Sequence, residues 1–112
     1  MMAFLMGLKS VSPAGLDAEL RTGHVNVYDV NSAQSFGKAH VPGARNLGPE
    51  SFRAEDLPAD KLSRLVFYCS NPMCRKAPIA AKRAKQMGYE DVRVMSAGIS
   101  GWMSSGLATE AA

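Results

Sequence analysis

The run Leu65-Val66-Phe67-Tyr68-Cys69 constrains the fold more than any other stretch of this chain. Its residues are apolar or β-prone, with no polar residue alternating between them. A strand wet on one face alternates polar and apolar side chains, whereas a strand buried on both faces does not. The run therefore reads as the central strand of a parallel sheet covered above and below. Parallel neighbours need crossover connections, so helices must lie between the strands.

The flanking sequence supplies them. Ser12 is a suitable N-cap and Pro13 suits the first position of a helix whose Leu16 and Leu20 share a face, ended by Gly23. A short strand is predicted over 24–30, a short helix capped by Ser32 over 32–38, and a Pro42-Gly43 turn leading to a strand over 44–47. Residues 49–62 read as loop with a helical turn, broken at Pro58. The best helix spans 75–87, with Pro78 in its opening turns and Gly88 as its stop. A strand over 91–95, a turn at Gly98 and a short helix over 99–106 complete the chain. Strands alternating with helices predict an α/β fold, a parallel sheet with helices on both faces. The 112 residues form one domain, with 1–8 a loose or edge segment.

Several function classes are excluded by composition and spacing. With 46% hydrophobic and 21% charged residues the chain is not of the disordered class. The net charge is +3, with Arg75, Lys76, Lys82, Arg83 and Lys85 clustered in one stretch. That cluster fits a small anionic ligand or a solvated helix face, and no nucleic-acid motif accompanies it. The opening MMAFLMGL is too short to span a bilayer and lacks the pattern of a signal peptide, so a cytoplasmic protein without a membrane partner is expected. The two cysteines fall in one stretch as C-x4-C, which cannot staple distant parts of a fold and makes a poor zinc site. Neither a metal nor a cofactor is expected.

Ligands of an open α/β sheet bind beyond the carboxyl ends of its strands, and Cys69 stands at such an end. Ser70 to Arg75 must turn from strand to helix within a few residues. A backbone curled that tightly directs amides inward as a nest for an anion, and the following helix adds the positive end of its dipole. A thiol in that cradle is expected to have its pKa lowered, with Arg75 contributing. The other reading of Cys69 is a last buried residue of a core strand, since free Cys is commonly buried.

These residues carry a resemblance. VYDVNSAQSFGKAHVPGARNL (27–47), LVFYC with its loop (65–75) and VMSAGISGW (94–102) resemble, in order and separation, the motifs of the single-domain rhodanese-homology (sulfurtransferase) family. The resemblance implies a five-stranded parallel sheet with flanking helices, and Cys69 as a persulfide carrier. Its thiolate would attack the outer sulfur of a donor such as thiosulfate, and sulfite would depart. The loop from Ser70 through Asn71, Met73, Cys74 and Arg75, with Lys76, would bind the anionic donor. A thiol or protein acceptor would then take the sulfur in ping-pong fashion. Sulfite leaves as a stable anion, so no general acid is required, and no carboxylate lies between Cys69 and Lys85.

The sequence also departs from the family pattern. Asn31 stands where Arg is usual, Gln34 where an acid is common, and Ala39 where Gly precedes His40. Asp29 matches a strand-end Asp that would brace the active loop, or would simply serve local amides. His40 is expected to be structural around the Pro42-Gly43 turn, and His24 has no evident partner. Trp102 and Met103 fill core or rim, or line the pocket mouth. Cys69 to Arg75 is C-x5-R, one residue longer than the usual rhodanese loop and equal to that of the dual-specificity phosphatases and arsenate reductases sharing this fold. Phosphatase or arsenate reductase is therefore the alternative, although a phosphatase needs an acid for its leaving alkoxide, and Tyr68 replaces the His usual there. Cys74 is either a small loop residue or a resolving thiol that attacks the Cys69 persulfide and releases sulfide, or protects Cys69 from over-oxidation. A non-catalytic binding module is a third class, against which the retained Cys69 counts. A monomer or a homodimer fits the sequence equally.

Overall fold

The computed structural model describes residues 8–112. In chain order the elements are β1 (Lys9–Ser10), α1 (Pro13–Thr22), β2 (Asn26–Asp29), α2 (Ala33–Lys38), β3 (Arg45–Asn46), a 3-10 turn (Ala54–Asp56), β4 (Leu65–Tyr68), α3 (Lys76–Gln86), β5 (Val92–Val94) and α4 (Gly98–Ser104). The five strands form one sheet in the order β1-β5-β4-β2-β3, with every pairing parallel. The expected α/β architecture is therefore present. Lys9–Ser10 is an edge strand, while the expectation for the segment before it falls, through residue 7, outside the described residues.

The apolar run lies where its composition requires. β4 sits between β2 and β5, and all four of its side chains are buried. Period two divides them between two cores. Leu65 and Phe67 face α3, packing with Tyr28, Phe52, Ala80, Ala81 and Ala84; Val66 and Tyr68 face Leu16 of α1 and Trp102 of α4. Cys69 continues the first alternation and points toward α3. Alanines on the buried stripe of α3 let that helix lie close to the sheet.

Local chemistry sets the boundaries. Ser12 Oγ accepts the Gly15 amide at 3.0 Å, Pro13 opens α1, and Gly23 closes it at φ 78°. Ser32 caps α2 likewise, accepting from Ser35. The described strands are shorter than the sequence suggests, although ladder-type bonds run a residue beyond them, as from the Leu47 amide to the Asp29 carbonyl and from the Met95 amide to the Phe67 carbonyl, each 3.0 Å. β3, for example, retains only Arg45 and Asn46 against Tyr28 and Asp29.

One contact has no counterpart in the sequence reading. The C-terminal segment returns to pair Glu110 with His40 through reciprocal backbone bonds of 2.9 Å, while Glu110 Oε1 accepts the Gly43 amide at 3.0 Å. His40 Nδ1 meets the Phe36 carbonyl at 2.7 Å and its ring stacks on Phe36. The imidazole is thus engaged around the Pro42-Gly43 turn, as a structural histidine would be. Trp102 is buried, and its indole N–H donates to the Ala108 carbonyl at 2.8 Å.

Candidate active site

Cys69 leaves the carboxyl end of β4 with 3% of its surface exposed. It lines a cavity of about 240 Å³ together with Cys74. Pro72, Ala77 and Pro78 supply one wall from the loop and the first turn of α3; Val94, Met95 and Ser96 supply the other from the end of β5. The parallel pairing of β4 with β5 brings that second wall alongside, with Phe67 in register with Val94.

Asn71 builds the curl of the loop. Its side-chain oxygen accepts the Met73 amide at 2.9 Å and its carbonyl accepts the Cys74 amide at 3.0 Å. Those bonds occupy two amides and leave others for the sulfurs. The Ser70 and Ala77 amides favour charge on Cys69, while those of Ser70 and Lys76, with the Ser70 hydroxyl, favour it on Cys74. The loop's influence on an anion therefore falls on two sulfur atoms.

The base of the loop is held from behind. The Ile99 amide donates to the Cys69 carbonyl and the Ser100 amide to the Ser70 carbonyl, each at 2.9 Å. These bonds come from the turn that opens α4, where Gly98 adopts φ +68°. A Cβ on Gly98 would lie 2.6 Å from the Ser70 carbonyl carbon and 2.7 Å from the Asn71 nitrogen. Only glycine fits that approach.

The electrostatics differ from the sequence expectation. Burial pushes the Cys69 thiol up to about 12, and its hydrogen bond to Cys74 adds to the shift, against the opposing pull of the Ala77 and Ser70 amides. Cys74 moves the other way. Burial raises it, but the hydrogen bonds from Cys69, the Lys76 amide and Ser70 outweigh that cost and lower it. The first proton of the pair leaves from Cys74, so the expected lowering at Cys69 is corrected: charge on the deeper sulfur is penalised by its own burial.

The cations that the sequence sets beside the loop do not reach it. Arg75 and Lys76 are exposed, and neither side chain lines the cavity. Arg75 stands at the N-cap position of α3 without a side-chain cap bond. Met73 is 87% exposed. The site therefore unites Cys69, Ser70, Cys74 and the amide of Lys76, with Asn71 as its brace, and omits the side chains of Met73, Arg75 and Lys76.

Asp29 belongs to the other face of the sheet. It pairs in register with Tyr68, and alternation along β2 turns it away from the face of Cys69. Its Oδ1 accepts the Asn31 amide at 2.8 Å; no hydrogen bond joins it to the 70–75 loop. Among the described residues Oδ2 is buried without a hydrogen-bond partner. Burial raises the Asp29 pKa; the Tyr68 hydroxyl, which accepts the Val41 amide at 3.0 Å, softens that penalty without closing a bond to Oδ2.

Ser96, Pro78 and Gly98 are site residues that sequence reasoning missed. The available signal was the segment following β5, because the residue after a strand next to the strand that ends in Cys69 borders the same crevice. Among the described residues no group of three or more His, Cys, Asp or Glu side chains is arranged to hold a metal ion. No described helix is long and apolar enough to cross a membrane.

A parallel sheet with a cysteine at the end of its central strand, cradled by amides before a helix, defines a class of cysteine-loop α/β domains. The profile of the rhodanese-like domain family matches residues 12–105, and the chain belongs to that family. It is 29% identical over 100 residues to the HTH-type transcriptional regulator Rv0324 of Mycobacterium tuberculosis, aligning over 88% of this chain and spanning 43% of that relative. Thiosulfate sulfurtransferase from Pseudomonas aeruginosa superposes at a TM-score of 0.81 and 24% identity, covering 93% of this chain and 19% of the other. A Rhodopseudomonas palustris protein described as a possible tyrosine phosphatase gives 0.78 and 20%, covering 97% and 91%. At these identities the structural likeness is one of fold.

Proposed function

We infer that the protein is a sulfurtransferase that carries sulfane sulfur on Cys69. The observation that carries this reading is Cys69 itself: a sulfur at the strand end, lining a cavity walled by the loop, the start of α3 and the end of β5, with the Ala77 and Ser70 amides favouring charge on it. The reacting form is the pair with one proton, which settles on Cys74 as Cys69 Sγ engages the donor. Cys69 Sγ attacks the outer sulfur of thiosulfate, the S–S bond of the donor breaks, and sulfite leaves with the bonding pair. The same amides then face a persulfide anion, whose charge they hold as backbone dipoles do in an oxyanion hole. An incoming thiol or protein thiolate accepts the outer sulfur and restores the pair. Thiosulfate-type donors and thiol acceptors are the partners this chemistry requires.

The phosphate or arsenate reading draws on the C-x5-R spacing. Against it, no carboxylate lines the cavity to protonate a leaving alkoxide, and Arg75 lies outside. Steady-state kinetics with thiosulfate and cyanide test the proposal. Parallel double-reciprocal lines and thiocyanate formation lost in Cys69→Ser are expected. Hydrolysis of an aryl phosphate without thiocyanate formation would overturn it.

A further inference from the structure

The cavity contains a second thiol that transfer to an external acceptor uses only as a place for the Cys69 proton. Cys74 lines the same space as Cys69, and the two side chains lie near enough for each to shift the other's pKa. The Asn71 turn that returns the chain onto itself holds the Cys74 amide at 3.0 Å, so the approach is built into the loop. Both cysteines are free.

We propose that Cys69 and Cys74 form an internal dithiol that reduces the bound sulfane sulfur to hydrosulfide, giving the protein a thiosulfate-reducing activity in addition to sulfur transfer. The proposal rests on the sulfurtransferase reading for its first step. After sulfite has left, Cys69 carries a persulfide anion and Cys74 carries the proton taken from Cys69. Cys74 Sγ attacks Cys69 Sγ. The new bond is the Cys69–Cys74 disulfide; the bond between Cys69 Sγ and the outer sulfur breaks, and the outer sulfur leaves with that pair and the Cys74 proton as hydrosulfide. The two cysteines are oxidised by two electrons, and the sulfane sulfur is reduced by two. A dithiol reductant such as dithiothreitol resets the pair.

Two features favour this course over transfer of the outer sulfur onto Cys74. Cys69 and Cys74 line one cavity before any sulfur is bound, so the inner sulfur of the persulfide is the one already beside Cys74. Attack at the outer sulfur would also expel Cys69 as a thiolate, and its burial makes that a poor leaving group. Hydrosulfide is the better one.

The test is a single turnover of the fully reduced chain with thiosulfate and no added thiol, reading sulfite, hydrosulfide and the mass of the protein. Wild type is expected to release sulfite and stoichiometric hydrosulfide and to end two hydrogens lighter, as a disulfide. Cys74→Ser and, as a second variant, Cys74→Ala are expected to release sulfite more slowly, to retain the sulfur as a Cys69 persulfide, and to release no hydrosulfide. Sulfite without hydrosulfide from wild type would overturn the dithiol proposal while leaving sulfur transfer standing, as would recovery of the extra sulfur on Cys74. No sulfite at all would overturn the sulfurtransferase reading, and this proposal with it.

Discussion

Placing an alanine at position 98 probes the joint between the sheet and the active loop. The substituted residue must hold φ +68°, which costs an L-residue about 1–2 kcal/mol. Its Cβ must also enter a space bounded at 2.6–2.7 Å by the backbone of Ser70 and Asn71, and backbone yields less readily than a side chain. Overpacking of that kind adds roughly 1–3 kcal/mol. Gly106 is the control, since it has φ +77° with no atom of the described residues within 4 Å of its Cβ position. Gly106→Ala is therefore expected to cost only the backbone contribution. With a urea slope of about 1.5 kcal/mol per molar, Gly98→Ala should lower the unfolding midpoint by about 2 M and Gly106→Ala by roughly 1 M. Displacing Ser70 also moves Cys69, because the Ile99 and Ser100 amides tie both residues to this turn. Small misplacements of reacting groups cost up to about a hundredfold, so sulfite release by folded Gly98→Ala should fall at least about tenfold. Gly106→Ala should retain its rate. Equal midpoints for the two variants, with unchanged rates, would refute the close approach as the constraint.

Three further outcomes follow from the same geometry. At neutral pH iodoacetamide should modify Cys74 before Cys69, because Cys74 is more exposed and its pKa is lowered while that of Cys69 is raised to about 12; peptide mapping that finds Cys69 modified first would contradict this. Asp29 is neutral in both folded and unfolded chains at low pH, and as pH rises past the ordinary carboxylate value the unfolded chain ionises first, so stability is lost until the raised folded pKa is passed. Asp29→Asn should accordingly raise Tm at pH 7, with the gain shrinking toward pH 4, and a pH-independent difference in Tm would count against it. Arg75→Gln should alter the KM for thiosulfate by less than about fivefold, the scale of an exposed charge; a loss of a hundredfold in steady-state assays would mean that Arg75 enters the cavity with the donor.

Much of the framework was legible because it follows from local rules. The unbroken apolar run dictated a doubly covered β4, and Ser12, Pro13 and Gly23 marked both ends of α1. The position of Cys69 followed from the strand end. What was not legible depends on how the loop curls. Sequence places Arg75 beside the cysteines, but Asn71 turns the loop so that amides face inward and the guanidinium faces solvent. The pKa expectation erred for the same reason, since adjacency in sequence overstated the cation and understated burial. Alternation along β2 sends Asp29 to the opposite face from Cys69, which register reveals and a motif match does not. The pairing of Glu110 with His40 is a contact between distant segments with no local signature.

The most direct test of the central claim is an intact mass of the reduced protein taken within the first turnover with thiosulfate, in Cys74→Ser, where the carried sulfur has no internal exit. A gain of one sulfur atom, absent when Cys69 is also replaced by Ser, is the expected result. A mass unchanged by thiosulfate, in a variant that is folded and has a free Cys69, would contradict the assignment of Cys69 as the sulfur carrier.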